Sequence, residues 1–281
     1  VTMLAERLTH AVAHHAEGPC WWPGWGGLRW VDMLAGDVLA LDASGTVTRT
    51  HVGDVAAMIR PRAGGGAVIA VERGLALADE DWRVDPLRPM WETDAVRMNE
   101  GGVAPDGSLY VGSMAYDQAE GAASLYRVGP DLDVATALDA VTVSNGIDWS
   151  PDGTLAYYDD TPTGRIQVFD WSPDDGLTQG RVLAEVDGFP DGLTVDGEGG
   201  IWTAIFGGGR VERRAPDGTL DAVIEVGARQ VTACTFGGDD LDELYITTSR
   251  EGLDDGEDAA AGSLFVARPG VRGKAVTPFA R

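Results

Sequence analysis

The run Val143-Ser144-Asn145-Gly146-Ile147-Asp148-Trp149-Ser150 leads through Pro151-Asp152-Gly153 into Leu155-Ala156-Tyr157-Tyr158. It reads as strand, tight turn and strand, because Pro fixes φ at the turn and Gly supplies the positive φ that ends it. Arg165-Ile166-Gln167-Val168-Phe169-Asp170 then alternates as a half-buried strand does, and Arg181 to Val186 adds a fourth. This four-strand unit recurs. Its second strands begin at residues 28, 67, 109, 155, 201 and 244, in steps of 39, 42, 46, 46 and 43 residues. A repeat of that length built from short strands marks a propeller blade. The expectation is an all-β, six-bladed β-propeller with a central channel, spanning residues 1–281 as one domain.

The phase of the repeat locates the candidate site. The first strand of each blade lines the channel, so equivalent residues from distant parts of the chain meet near the axis. Aligned by their turns, the units place Glu17, Ala57, Asn99, Asn145, Asp191 and Thr232 in register. Asn145-Gly146 and Asp191-Gly192 are ordinary turn dipeptides in isolation. Here each lies six residues ahead of its own unit's turn residue, Pro151 or Gly197, and the same offset separates Asn99 from Pro105 and Glu17 from Pro23. Two carboxylates and two carboxamides around one point suit a hard cation such as Ca²⁺, which takes six to eight oxygen ligands. No His or Cys stands in the ring, so thiolate or imidazole zinc chemistry is not indicated.

Bulk composition narrows the function. The 281 residues carry a formal net charge of −24, which disfavours nucleic acid and anionic membranes as partners. No apolar run reaches the length of a membrane helix, and Val1 to His15 lacks the apolar core of a secretory signal. A cytoplasmic location is expected. Cys20 and Cys234 are read as two buried, unreactive thiols, and His14 and His15 as a partly solvated loop. Met3 to His10 is the one stretch with a trace of helical periodicity. Trp21, Trp22 and Trp25 follow Glu17 and are placed to roof the channel, with core packing the equal alternative for Trp21 and Trp22. The acidic run Glu251 to Asp258 lacks the spacing of an EF-hand and reads as a solvated loop. Arg97 lies two residues before Asn99, hence on the same strand face.

These units resemble the senescence marker protein/gluconolactonase family, also called the regucalcin family. The resemblance rests on Glu17-Gly18-Pro19, Arg97-Met98-Asn99-Glu100-Gly101, Gly112-Ser113-Met114, Ser144 to Ser150, Pro190-Asp191-Gly192-Leu193, Ile201 to Val211 and Cys234 to Gly238. It implies a channel cation held by Glu17, Asn145 and Asp191, with Asn99 on or just behind it and Arg97 against the substrate. Ca²⁺ is preferred on the donor set, while the family tolerates Zn²⁺, Mn²⁺, Mg²⁺ or Fe²⁺. Glu100 stands where an Asp is usual, Tyr116-Asp117 where two acidic residues are frequent, and Trp22 where an Asp is frequent.

The expected activity is metal-dependent opening of a sugar lactone, with Asp191 as base or direct nucleophile and Arg97, Asn99 and Asp117 orienting substrate hydroxyls. The expected partner is therefore a small polyhydroxylated lactone. Two rivals are phosphotriester hydrolysis of the diisopropyl-fluorophosphatase type and a calcium-binding propeller without turnover.

Overall fold

The computed structural model describes residues 1–281. Six antiparallel sheets stand around one axis. Their innermost strands are Ala16–Trp22, Ala56–Pro61, Val96–Val103, Ser144–Trp149, Phe189–Val195 and Val231–Gly237, belonging to blades I to VI in chain order. Each packs against the next, and the sixth against the first. The expected six-bladed all-β propeller is what forms, and no helix is long and apolar enough to cross a membrane.

Two features at the chain ends complete the ring. Glu6–Arg7 pairs antiparallel with Phe265–Ala267 as the outermost strand of blade VI, and Thr2–Leu4 adds a parallel strand to the outer edge of blade V. Met3 to His10 is thus extended, not helical, because its backbone groups are satisfied by two open sheet edges. After blade VI the chain runs beneath the ring. Lys274 Nζ reaches Asp148 Oδ1 at 2.6 Å, and the Ala280 amide donates to the Gly107 carbonyl at 2.9 Å.

The seams between blades hold the core. Tyr110, Trp149, Trp171 and Tyr158 fill the seam between blades III and IV, while Tyr157, Val168, Leu193 and Ile201 fill that between IV and V. The expected turn glycines adopt positive φ, +70° at Gly153 and +82° at Gly107.

Every innermost strand is interrupted at the predicted register position. The pairing with the second strand slips between Glu17 and Cys20, Ala56 and Met58, Met98 and Gly101, Ser144 and Ile147, Pro190 and Leu193, and Val231 and Ala233. A β-bulge puts two residues against one and re-aims a side chain. Asn145-Gly146 and Asp191-Gly192 sit in bulges, not hairpin turns. Their glycines serve close approach: a Cβ on Gly146 would lie 2.4 Å from the Leu193 backbone nitrogen, and one on Gly192 2.4 Å from the Ala233 Cβ. Gly146→Ala should therefore cost about 1–3 kcal/mol through overpacking and lower the melting temperature by several degrees in calorimetry. An unchanged midpoint would show that the inner strands have slack.

Candidate metal and substrate site

The bulges aim four side chains into one cavity of about 280 Å³ at the mouth of the channel: Glu17, Asn99, Asn145 and Asp191. Each is 4–5% exposed. The other two register positions add no free donor. Ala57 is apolar, and the Thr232 hydroxyl bonds the Ala16 carbonyl at 2.6 Å and Thr247 Oγ1 at 2.8 Å.

The hydrogen bonds divide the four. Asn145 Nδ2 donates to Thr161 Oγ1 at 3.0 Å, which leaves its Oδ1 facing the cavity with no partner. Asp191 Oδ1 also lacks a partner. Asn99 is already engaged: its Nδ2 donates to the Ser144 carbonyl at 2.9 Å and its Oδ1 accepts from Arg97 Nη1 at 2.8 Å. Arg97 is anchored further by the Met98 carbonyl at 2.9 Å, so strand geometry presents the guanidinium and Asn99 as one unit. Unpaired buried oxygens are costly, and oxygen atoms from Glu17, Asn145 and Asp191 fit a hard cation. No three His, Cys, Asp or Glu side chains gather into a cage anywhere in the chain. The donor set here instead mixes carboxylate with carboxamide, which suits an oxygen-seeking ion.

The electrostatics agree with a site built for positive charge. Burial pushes the Glu17 carboxyl well above the usual range, and Asp191 and Glu100 push the same way. Burial, then Glu100, raises Asp191 likewise. Glu100 lies buried in an ion pair, 2.9 Å from Arg60 Nη2. Burial lowers the affinity of Arg97 for its proton against the pull of the surrounding acids.

Some expected placements change. His15 is not in a solvated loop: it is 5% exposed, its Nδ1 lies 2.6 Å from Ser249 Oγ, and its Nε2 is 3.7 Å from Glu17 Oε1. Burial, followed by the charges of Arg97 and His14, lowers its pKa to about 3, so the imidazole is neutral. His15 precedes Glu17 by two residues as Arg97 precedes Asn99, and the same alternation argument would have found it. The acidic run after Ser249 is a loop as expected, but its first member, Glu251, lines the cavity with its carboxylate 3.4 Å from His15 Nδ1. The structure does not bring Asp117 to the other four. It is exposed, with Oδ1 accepting from the Ala119 amide, while its neighbour Gln118 lines the cavity. Thr161, Phe189 and Phe206 complete the wall and carried no sequence signal.

The three tryptophans do not roof this site. Blade I's inner strand runs from the mouth at Ala16 to the far end at Trp22, about 3.3 Å per residue. Trp21 stacks on Tyr245 at 5.7 Å, and Trp21 and Trp22 line a separate cavity of about 830 Å³ that holds none of the four ring residues. Trp25 packs on Trp82. Cys20 and Cys234 are free and buried, as expected.

The sequence pattern of the SMP-30/gluconolactonase/LRE-like region matches residues 15–250. The chain belongs to this family. A candidate sugar lactone lactonase of Bacillus subtilis strain 168, YvrE, is 32% identical over 99% of this chain and 98% of its own. The calcium-binding protein regucalcin of Agrobacterium tumefaciens superposes with a TM-score of 0.94 at 28% identity, covering 100% of this chain and 98% of that one. A gluconolactonase of Xanthomonas campestris gives 0.76 at 25%, covering 92% and 87%. These relatives support a lactonase-type activity for the family fold found here.

Two buried, mutually repelling carboxyls weaken the cation-free protein. With chelator present at neutral pH, Asp191→Asn should raise the melting temperature by a few degrees, because a carboxyl whose ionisation burial and Glu100 oppose is replaced by a neutral amide. A lower midpoint would show that Glu17 and Asp191 do not oppose each other.

Proposed function

We propose that this chain is a metal-dependent hydrolase that opens a sugar lactone. The observation that carries the reading is the convergence of Glu17, Asn145 and Asp191 on one cavity with unpaired oxygens on the latter two. These three residues would hold a divalent cation, with Asn99 just behind, and Ca²⁺ is preferred over Zn²⁺, Mn²⁺, Mg²⁺ or Fe²⁺ for an all-oxygen set. A bound cation supplies polarisation of the lactone carbonyl and stabilises the developing oxyanion.

The chain's own residues supply the rest. Asp191 would accept a proton from the attacking water on its carboxylate. The water oxygen bonds the carbonyl carbon, the ring C–O bond breaks, and the proton passes to the departing alkoxide. A carboxylate beside a cation is a weak base, and burial together with Glu100 opposes the lowering that the cation's charge would bring to Asp191. The buried Arg97 fork, fixed by Asn99 and the Met98 carbonyl, presents remaining N–H groups to substrate hydroxyls. Asp117, on the exposed loop beside Gln118, would act only at the rim. Holding the ring against the base is worth several kcal/mol of the barrier. A cavity of about 280 Å³ sits near the lower end for small-molecule sites and suits one sugar ring.

The test is turnover of aldonolactones by the intact protein before and after chelation, with Asp191→Ala in parallel. Both treatments should reduce kcat at least about 100-fold, on the scale of a lost general base, and added Ca²⁺ should restore only the parent. Activity that survives both treatments overturns the reading. Diisopropyl fluorophosphate hydrolysis without lactone turnover would favour the phosphotriesterase alternative. Cation binding with no turnover on either substrate would favour a calcium-binding propeller.

A further inference from the structure

Asp159 is buried beside this site and has no structural role in view. It is 0% exposed, and neither carboxylate oxygen has a hydrogen-bond partner. Its neighbour Asp160 is fully engaged, accepting from the Thr142 and Val143 amides, as Asp32 does from His14 and His15 in blade I. The pair Asp159-Asp160 thus contains one acid that ties a loop and one that ties nothing.

Its place in the fold is fixed by alternation along Leu155–Asp160. Ala156 and Tyr158 face blade III, whereas Leu155 and Tyr157 face blade V, so Asp159 also faces blade V. It stands directly opposite the Asn145-Gly146 bulge, since pairing skips from Ser144↔Asp160 to Ile147↔Tyr158. The residues facing the ring positions Glu17, Asn99 and Asp191 from the second strands of blades I, III and V are Val31, Gly112 and Ala204, none of them charged. From the other side of the same seam comes Thr203, 1% exposed, whose hydroxyl is also unpartnered. It shares its face with Ile201, which packs on Tyr157 and Leu193. The charge of Asp191 acts on Asp159 across this seam. A buried carboxyl without a partner destabilises a fold by several kcal/mol at most sites. Apolar residues fill the same position in other blades, so the architecture does not require it.

We propose that Asp159 is an outer acidic member of the cation site, set behind Asp191, whose negative charge strengthens the hold on a multivalent cation without ligating it. This rests on the cation reading above. Its effect is Coulombic and therefore scales with the charge of the ion. A bound cation reverses the local field that otherwise makes a third carboxylate unfavourable here.

The experiment is calorimetric titration of the chelator-stripped, full-length protein with Ca²⁺ and with Tb³⁺, for the parent, Asp159→Asn and Asp159→Val. Both variants should bind Ca²⁺ about tenfold or more weakly, and the logarithm of the loss for Tb³⁺ should be about 1.5 times larger. Metal-free Asp159→Val should also melt higher than the parent, because an unpartnered polar group is removed. Parent-like affinity for both ions overturns the inference, as does an equal loss for the two, which would indicate distorted ligands and not a lost charge. Failure of the parent itself to bind either ion overturns the cation reading and this inference with it. Binding by parent and variants alike overturns the inference alone.

Discussion

Six strands around one axis must each turn a side chain inward if the axis is to carry a site. The bulge found in every innermost strand answers that constraint, and the rest of the molecule follows from it. It breaks the ladder at one level of the ring and rotates the side chain at that level toward the channel. In blades IV and V it also brings two backbones so close that only a residue without a side chain fits, which Gly146 and Gly192 provide. The same local defect therefore recurs around the ring and creates its site.

What the bulges gather is electrostatically unfavourable on its own. Glu17, Asp191, Glu100 and Asp159 are all buried, and burial raises each of them. Two guanidiniums offset part of this charge: Arg60 pairs with Glu100, and Arg97 is tied to Asn99. Neither donates a hydrogen bond to Asp191 or Asp159. The seams around the site are largely apolar, Asp159 and Thr203 aside, so they can carry such a cost without loss of the fold. Stability held in the seams and charge collected at the mouth are separable, as expected where function sets the composition of a few positions.

The fold was legible because its signals are periodic. Strand spacing, turn residues such as Pro151-Asp152-Gly153 and the shared phase of Glu17, Asn99, Asn145 and Asp191 all repeat, so each instance supports the others. Features that occur once were harder to read. Ring closure depended on Glu6–Arg7 joining a strand some 260 residues away, which no local pattern encodes. Thr161, Phe189 and Glu251 come to the cavity from segments whose course depends on neighbouring blades. Aromatic richness near Glu17 misled in one respect: Trp21 and Trp22 follow it closely in sequence, yet a strand carries them to the opposite end. Asp159 left no trace, since Tyr157-Tyr158-Asp159-Asp160 reads equally well with either acid as the loop tie.

The distribution of donors around the ring bears on what the site can do. Six equivalent positions exist, but Ala57 contributes no donor and Thr232 is turned to the neighbouring strand. Asn99 is bonded to Arg97, which leaves three residues, Glu17, Asn145 and Asp191, with oxygens to face an ion. A hard cation such as Ca²⁺ takes six to eight oxygens, and the remainder must come from water or from a ligand entering at the mouth. A saturated structural site would have filled the silent positions, since the fold offers them at no cost in new backbone. On the hydrolase reading proposed above, this leaves room for a substrate oxygen beside Asp191. It is the arrangement that reading requires, since a catalytic cation site keeps exchangeable positions beside its base.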